Sequence, residues 1–209
     1  LGGQVYRGIF MSNCQGAKVA SNIILWNSGL IIPADINAHA YDVQGLRMEH
    51  VQSSDIKDNT VTTCGTGMFL YDDCSGTYFT CNHFQDNYPG IDFSVSVLPP
   101  AQGSAYSATF NTWGGNYDNS SGLFKVTGLP SPFYYYYNSA SSSEFPDPPL
   151  LMTGILVPVQ ITSVSQNPCT NGGSHNGNMM ADDTTKKNIE LANILDQQDS
   201  TPADDFPAQ

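Results

Sequence analysis

The sequence has little charge, and most of that charge is negative. Asp and Glu total 19 against 7 for Lys and Arg, so the formal net charge is −12, and only 12% of the 209 residues are charged. An ordinary soluble domain has about 25%. A chain this acidic offers no electrostatic surface for nucleic acid or for an anionic membrane. Its polarity comes from Ser, Thr, Asn and Gly, which favours short strands joined by turns.

Long apolar runs and signature motifs are also missing. The longest apolar stretches, 23–26 and 150–152, are far too short to span a bilayer. The sequence contains no nucleophile elbow, phosphate-binding loop, dinucleotide fingerprint or zinc signature, so no catalytic set and no cofactor is expected. Because the N-terminus carries no targeting segment and no initiator Met, we expect the chain to be a processed or excised piece of a longer protein.

The five cysteines show neither a Cys-x-x-Cys pair nor metal-ligand spacing, so no metal site is predicted. Cys74 and Cys81 lie seven residues apart and could bridge a loop. Cys64 could reach either of them if the fold stacks the three. An odd number of cysteines in a chain with few lysines is compatible with an exported protein.

One pattern recurs through the first 126 residues: a glycine, an apolar residue, any residue, and a second apolar residue. It begins at Gly8, Gly29, Gly45, Gly67 and Gly90, with a degenerate copy at Gly122. An asparagine stands eight residues before three of these glycines, at Asn37, Asn59 and Asn82. The alternation of apolar residues has the period of a β-strand, and a repeat of this length is typical of a solenoid.

The fullest copies, 56–70 and 79–93, read apolar-x-x-Asn-x-apolar, a short gap, then Gly-apolar-x-apolar. This resembles the right-handed parallel β-helix repeat of pectate-lyase-like and NosD-like proteins, and the composition is similar to that of Bacteroidota surface proteins. The resemblance covers a little over half of the chain. It implies an all-β solenoid in which residues about 22 apart become vertical neighbours.

Such stacking predicts two inward apolar columns and a ladder of asparagines. The first column would contain Ile9, Leu30, Leu46, Met68 and Ile91, and the second Met11, Ile32, Met48, Leu70 and Phe93. The ladder would contain Asn37, Asn59 and Asn82, because buried amides need partners that a repeating stack supplies. We expect coils over 1–128, an extended Pro- and Tyr-rich capping arm over 129–166, and a linker, short helix (183–197) and acidic tail over 167–209.

The outward positions of the repeat supply the candidate site. They predict an exposed patch of Arg47, Glu49, Phe69, Tyr71 and Asp92, in which aromatic rings and charged groups suit sugar rings. The alternatives are an ordinary solvated sheet face or a face covered by the arm. Asp72 and Asp73 are catalytic candidates, since glycoside hydrolysis needs paired carboxylates, although Asp is also an ordinary turn residue.

We therefore expect a secreted or cell-surface β-helix that serves as a structural or adhesive binding module. Its partner would be a polysaccharide, or a protein in a larger envelope assembly, because families with this fold commonly bind or cleave polysaccharides along a sheet face. The alternative is a polysaccharide lyase or glycoside hydrolase, or a fragment of one. Such an enzyme needs titratable groups that converge on that face with shifted pKa values.

Overall fold

A computed structural model of the chain describes residues 5–26, 42–93, 97, 101–118, 122–128, 133–138, 142–147, 156–161 and 169. The strands within these residues are β1 Tyr6–Gln15, β2 Lys18–Ala20, β3 Ile23–Leu25, β4 Val43–Gln52, β5 Asp55–Lys57, β6 Thr60–Thr62, β7 Thr66–Tyr71, β8 Tyr78–Thr80, β9 His83–Gln85, β10 Ile91–Asp92, β11 Ala101–Gln102, β12 Thr112–Gly114, β13 Val126–Thr127, β14 Phe133–Asn138 and β15 Leu156–Ile161.

The described strands form four parallel sheets. Their orders are β1-β4-β7-β10-β13, β2-β5-β8, β3-β6-β9-β12 and β11-β14-β15. Through the first three coils, strands that follow one another in sequence belong to different sheets, while strands one coil apart pair in parallel. The chain therefore winds as a right-handed parallel β-helix, and the predicted all-β fold class is confirmed. The predicted C-terminal helix lies outside the described residues.

The predicted inward columns are present on the paired strands of the described coils, except for the predicted rung of Leu30 and Ile32. In the first column, Ile9 pairs with Leu46, and Met68 and Ile91 follow in register above them. Leu30 and Ile32 lie outside the described residues, and the direct pairing of Ile9 with Leu46 leaves no strand between β1 and β4 in this sheet. The spacing of 37 residues between these two partners is longer than the later spacings of 22 and 23 residues, from Leu46 to Met68 and from Met68 to Ile91.

The last copy of the repeat is shifted by a few residues. Ile91 pairs with Val126, so Lys125 occupies the place of the corner glycine in this coil. The repeat copy that begins at Gly122 is therefore out of register with the strand. Glycine is needed at the other corners because the chain approaches itself closely there. A Cβ atom on Gly67 would collide with the carbonyl oxygen of Gly90 in the next coil.

An asparagine ladder fixes one corner of four successive coils. Asn59 donates to Asn82 Oδ1 from its backbone N at 3.1 Å and from Nδ2 at 2.9 Å. Asn82 donates to Asn111 Oδ1 from the same two atoms at 2.9 and 3.0 Å. Asn22 donates in the same way to Asn59. The ladder thus includes Asn22 and Asn111, while Asn37 lies outside the described residues.

The residue before each ladder asparagine has left-handed backbone geometry. These residues are Ser21, Asp58, Cys81 and Phe110, with φ between 54° and 60°. A left-handed residue turns the chain sharply. The turn therefore recurs at one position in four successive coils, where it accommodates four different side chains.

After the coils, two further strands continue the parallel stacking. β14 lies between β11 and β15, and its Tyr135 is completely buried. Pro158 lies in β15, which is the end strand of this sheet in the described order, where a residue without an N–H is tolerated. The boundaries predicted at residues 128 and 166 stay predictions.

One disulfide crosses this part of the chain. It joins Cys81 to Cys169, which are 88 residues apart, so the bridge between Cys74 and Cys81 that the spacing would allow is not formed. Cys14, Cys64 and Cys74 are free thiols. Every described residue belongs to one compact unit, Leu1–Cys169.

Candidate functional site

The five-stranded sheet carries the predicted patch on its outer face. Phe10, Arg47, Phe69 and Asp92 are register partners on β1, β4, β7 and β10. Glu49 and Tyr71 are partners two residues further along β4 and β7. Neighbouring parallel strands lie about 4.8 Å apart, so these side chains form two adjacent vertical columns.

Arg47 is the fixed centre of this face. The carbon of its guanidinium lies 4.9 Å from the ring centre of Phe69 and 5.7 Å from that of Tyr71. Its Nη2 donates to Glu49 Oε2 at 3.1 Å, and its Nη1 donates to Gln44 Oε1 at 3.3 Å. Stacking against aromatic rings and two hydrogen-bond partners hold the guanidinium in one orientation.

Two members of the predicted patch are not exposed. Phe69 is 7% exposed, and Asp92 has no exposed surface. Stacking by Arg47 covers a face of the Phe69 ring, and Asp92 stands one rung further into the stack, between Phe69 and Thr127. Neither side chain can therefore meet a ligand directly.

The accessible part of the face is smaller and lies nearer the first coil. We call Phe10, Arg47, Glu49 and Tyr71 the outer-face site. Phe10 is 47% exposed and Tyr71 39%, while Arg47 and Glu49 are partly exposed. A second guanidinium, that of Arg7, lies 4.7 Å from the Phe10 ring centre. The site therefore presents aromatic rings beside fixed polar groups.

Asp72 and Asp73 follow the end of β7, and their contacts are those of a turn. Asp72 has a φ of 62°, and its Oδ2 lies 3.4 Å from Nδ1 of His50, with both side chains exposed. The backbone N of Ser75 donates to Asp73 Oδ1 at 2.9 Å, and Gln52 Nε2 donates to Oδ2. These bonds, that from Ser75 foremost, hold the pKa of Asp73 below its usual range.

The carboxyl group with a raised pKa is Glu144, which lies outside the predicted patch. Burial raises the pKa of Glu144, which lies in the 3₁₀ turn Ser142–Glu144 against β12 and accepts a hydrogen bond from the backbone N of Asn138 at 3.0 Å. A glycosidase acid needs a raised pKa and a second carboxylate placed opposite it. Glu144 packs against β12, whereas Asp72 and Asp73 follow β7, and these two strands belong to different sheets.

The sequence interpretation missed one cluster of ligand-type groups. An oxygen of Asp58 and the sulfurs of Cys81 and Cys169 lie within 4.8 Å of one another, although the sulfurs are bonded together. Asp58 and Cys81 each stand one residue before a ladder asparagine, which is the signal that could have paired them. Nothing in the spacing pointed to Cys169.

Comparisons with known proteins give one match. The model of a family described as NosD, periplasmic copper-binding protein, matches residues 2–117. No curated protein and no solved structure matches the chain. The stretches that the structure describes contain no helix long and apolar enough to cross a membrane.

Proposed function

The chain belongs to the NosD family of periplasmic proteins, and on that basis we propose that it is an exported β-helix that binds neutral polysaccharide without cleaving it. The contact surface is the outer-face site. A structural role in a larger envelope assembly is the other possibility expected from the sequence, and no specific contact among the described residues favours it.

The observation that carries this proposal is the fixed position of Arg47 beside an exposed tyrosine. Because Phe69 and Glu49 already hold the guanidinium, a ligand does not have to order a flexible side chain on binding. Tyr71 supplies an aromatic face for a sugar ring, and Glu49 and Arg47 supply an acceptor and donors for hydroxyl groups. Phe10 lies within the same two columns and extends the surface by a second aromatic face.

Charge favours a neutral glycan over an acidic one. The chain carries a net charge of −12, which repels polyanions. The guanidinium of Arg47 is already paired with the Glu49 carboxylate at 3.1 Å, so it has little charge left for a uronate. Binding should therefore depend on stacking and hydroxyl contacts, and it should change little with salt.

Catalysis receives less support from the same geometry. Asp73 has a lowered pKa and remains ionised, so it cannot serve as the proton donor that glycoside hydrolysis requires. The carboxyl with a raised pKa, Glu144, lies against a different sheet. We therefore place the lyase or hydrolase activity second to binding.

The family description also names copper, and the described residues do not fit that ion as they stand. The group of ligand-type side chains that converges in the described coils is Asp58, Cys81 and Cys169. Both sulfurs are committed to a disulfide, which leaves no thiolate to bind a metal. No step of the proposed function involves copper.

Affinity electrophoresis through gels that contain neutral or acidic polysaccharides tests the proposal. Tyr71→Ala should weaken retardation by a neutral glycan about two- to tenfold, since aromatic stacking contributes roughly 0.5–1.5 kcal/mol. Tyr78→Ala is the matched control, because Tyr78 is 45% exposed on a strand of another sheet. Equal retardation of the Tyr71 and Tyr78 variants would exclude the outer-face site, and the absence of retardation by any glycan would exclude the function.

A further inference from the structure

We infer that the first coil holds a binding site for a small carboxylate with an apolar body, for which benzoate is the probe. The site is a cavity of about 130 Å³ that is lined by the start of β1, the end of β3 and the start of β4. This inference goes beyond the proposed function and does not depend on it, since none of the four residues of the outer-face site lines the cavity.

The cavity lies where the first coil departs from the repeat. In the second coil, only residues 63–65 connect β6 to β7, and Cys64 in that connection is 2% exposed. In the first coil, the connection from β3 to β4 runs over residues 26–42. The short connection that closes this corner of the second coil therefore has no counterpart of equal length in the first, and Cys64 lines the cavity from the neighbouring coil.

Aliphatic side chains and two aromatic rings form most of the cavity wall. Ile24, Leu25 and Val43 supply the aliphatic groups. The rings of Tyr6 and Trp26 also line the cavity, with their centres 5.1 Å apart and their planes tilted by 48°. Because an apolar cavity of about 150 Å³ holds a benzene molecule, a cavity of this size and lining suits a single aromatic ring.

The polar groups at the cavity are hydrogen-bond donors or uncharged. Arg7 supplies a guanidinium, and Nε1 of Trp26 is buried without a hydrogen-bond partner. The Oε1 atom of Gln44 already accepts from Arg47 Nη1 at 3.3 Å, so the other polar atom of its side chain is a donor nitrogen. Burial raises the pKa of Cys64 to about 12, which keeps its thiol uncharged. Since a buried donor without an acceptor costs roughly 1–3 kcal/mol, a ligand oxygen that bonds to the indole nitrogen would remove that cost.

Local charge favours an anion at this cavity, although the whole chain is acidic. None of the described residues that line the cavity carries a carboxylate. Residues 5–26 contain two cations, Arg7 and Lys18, and no Asp or Glu, whereas the net charge of the chain is −12. An anion therefore meets local attraction at the first coil. The apolar wall selects the body of the ligand, and the donors select its carboxylate.

Isothermal titration calorimetry of the full chain with three probes tests the inference. Benzoate has both the ring and the charge, benzyl alcohol has the ring alone, and acetate has the charge alone. We expect one benzoate per chain, with acetate bound about tenfold or more weakly because it buries no ring, and benzyl alcohol about fivefold or more weakly because it brings no charged acceptor.

Two exposed cations of the first coil provide a matched pair of variants. Arg7→Gln should weaken benzoate binding about two- to fivefold, which is the effect of one exposed ion pair. Lys18→Gln should leave it unchanged, because Lys18 carries the same charge in the same coil but does not line the cavity. Since both side chains are exposed, neither substitution disturbs the core.

Tryptophan fluorescence locates the bound probe. The chain has two tryptophans, and Trp113 is buried in the core against Phe84. Benzoate should change the emission of the wild-type chain, and Trp26→Phe should lose that change. The Tyr71→Ala variant should bind benzoate as the wild type does, so failure of the glycan site and failure of this site are separate results.

Several outcomes would overturn the inference. They are the absence of benzoate binding, equal affinities for benzoate and benzyl alcohol, and equal benzoate affinities of the Arg7→Gln and Lys18→Gln variants. A benzoate-dependent change in emission that persists in Trp26→Phe would also overturn it, because the probe would then lie away from this cavity.

Discussion

Replacing Asn82 by alanine should be among the most damaging single changes that the described coils can undergo. Its side chain accepts from the backbone N and Nδ2 of Asn59 and donates from Nδ2 to Ile56 O at 2.9 Å and Asn111 Oδ1 at 3.0 Å. Asn82 has no exposed surface. Water therefore cannot replace these bonds without opening the stack.

The expected cost follows from the groups that lose their partner. The alanine variant leaves the buried backbone N of Asn59 without its acceptor and deprives Ile56 O of the amide donor. Each orphaned buried group costs roughly 1–3 kcal/mol. We expect the free energy of unfolding to fall by about 3–5 kcal/mol, a large part of the 5–15 kcal/mol that a domain typically has.

Asn22→Ala provides the matched control at the end of the ladder. Asn22 is half-buried, and its Nδ2 bonds to Asn59 Oδ1 can be lost while its backbone N still donates to the same oxygen at 3.1 Å. Its cost should be about 1 kcal/mol. Urea unfolding followed by circular dichroism measures both variants. Equal losses for Asn22→Ala and Asn82→Ala would refute the ladder as a stabilising feature.

Two further predictions concern ionisable groups. Because burial raises the pKa of Glu144 in the folded protein, its contribution to stability is present below the pKa of the unfolded chain and is lost as pH rises through the folded value. Glu144→Gln should therefore gain stability relative to wild type between pH 4 and pH 7 in urea titrations, and a constant difference across that range would contradict the assignment. In the folded, oxidised chain, Ellman's reagent at pH 8 should modify Cys14 quickly and leave buried Cys64 and Cys74 unmodified until denaturant is added. Rapid reaction of all three thiols in the folded state would contradict their burial.

The repeating part of the fold could be predicted because local pattern and stacking agree there. From β4 to β10 the glycine corners, the inward apolar residues and the asparagines all shift by nearly the same number of residues. Leu46, Met68 and Ile91 are completely buried register partners. Because the glycines, the apolar residues and the asparagines repeat with the same period, only one register buries all of the inward apolar residues.

The first coil could not be predicted in the same way. The copy at Gly29 matches the short pattern as well as the others do, yet Ile9 pairs directly with Leu46. A four-residue pattern is too short to distinguish a strand of a coil from an apolar stretch within a long connection. Only the pairing of distant strands decides between them, and that information is absent from the local pattern.

The site was harder to predict than the fold because outward orientation does not imply exposure. Strand alternation predicts Phe69 and Asp92 on the outer face, but their burial depends on what packs over that face. Arg47 covers Phe69 from a neighbouring strand. The pairing of Cys81 with Cys169 is likewise a contact across 88 residues, with no sequence period to indicate it.

These differences indicate which positions of a coil can carry functional side chains without loss of the fold. Inward positions must pack, and the ladder positions must be asparagine because each amide both donates and accepts along the stack. The left-handed corner imposes a backbone shape without requiring one side chain, and it accommodates Asp58, Cys81 and Phe110 in successive coils. A β-helix should therefore gain functional groups at the strand positions that neither pack inward nor belong to the ladder, as Arg47 with Tyr71 illustrates.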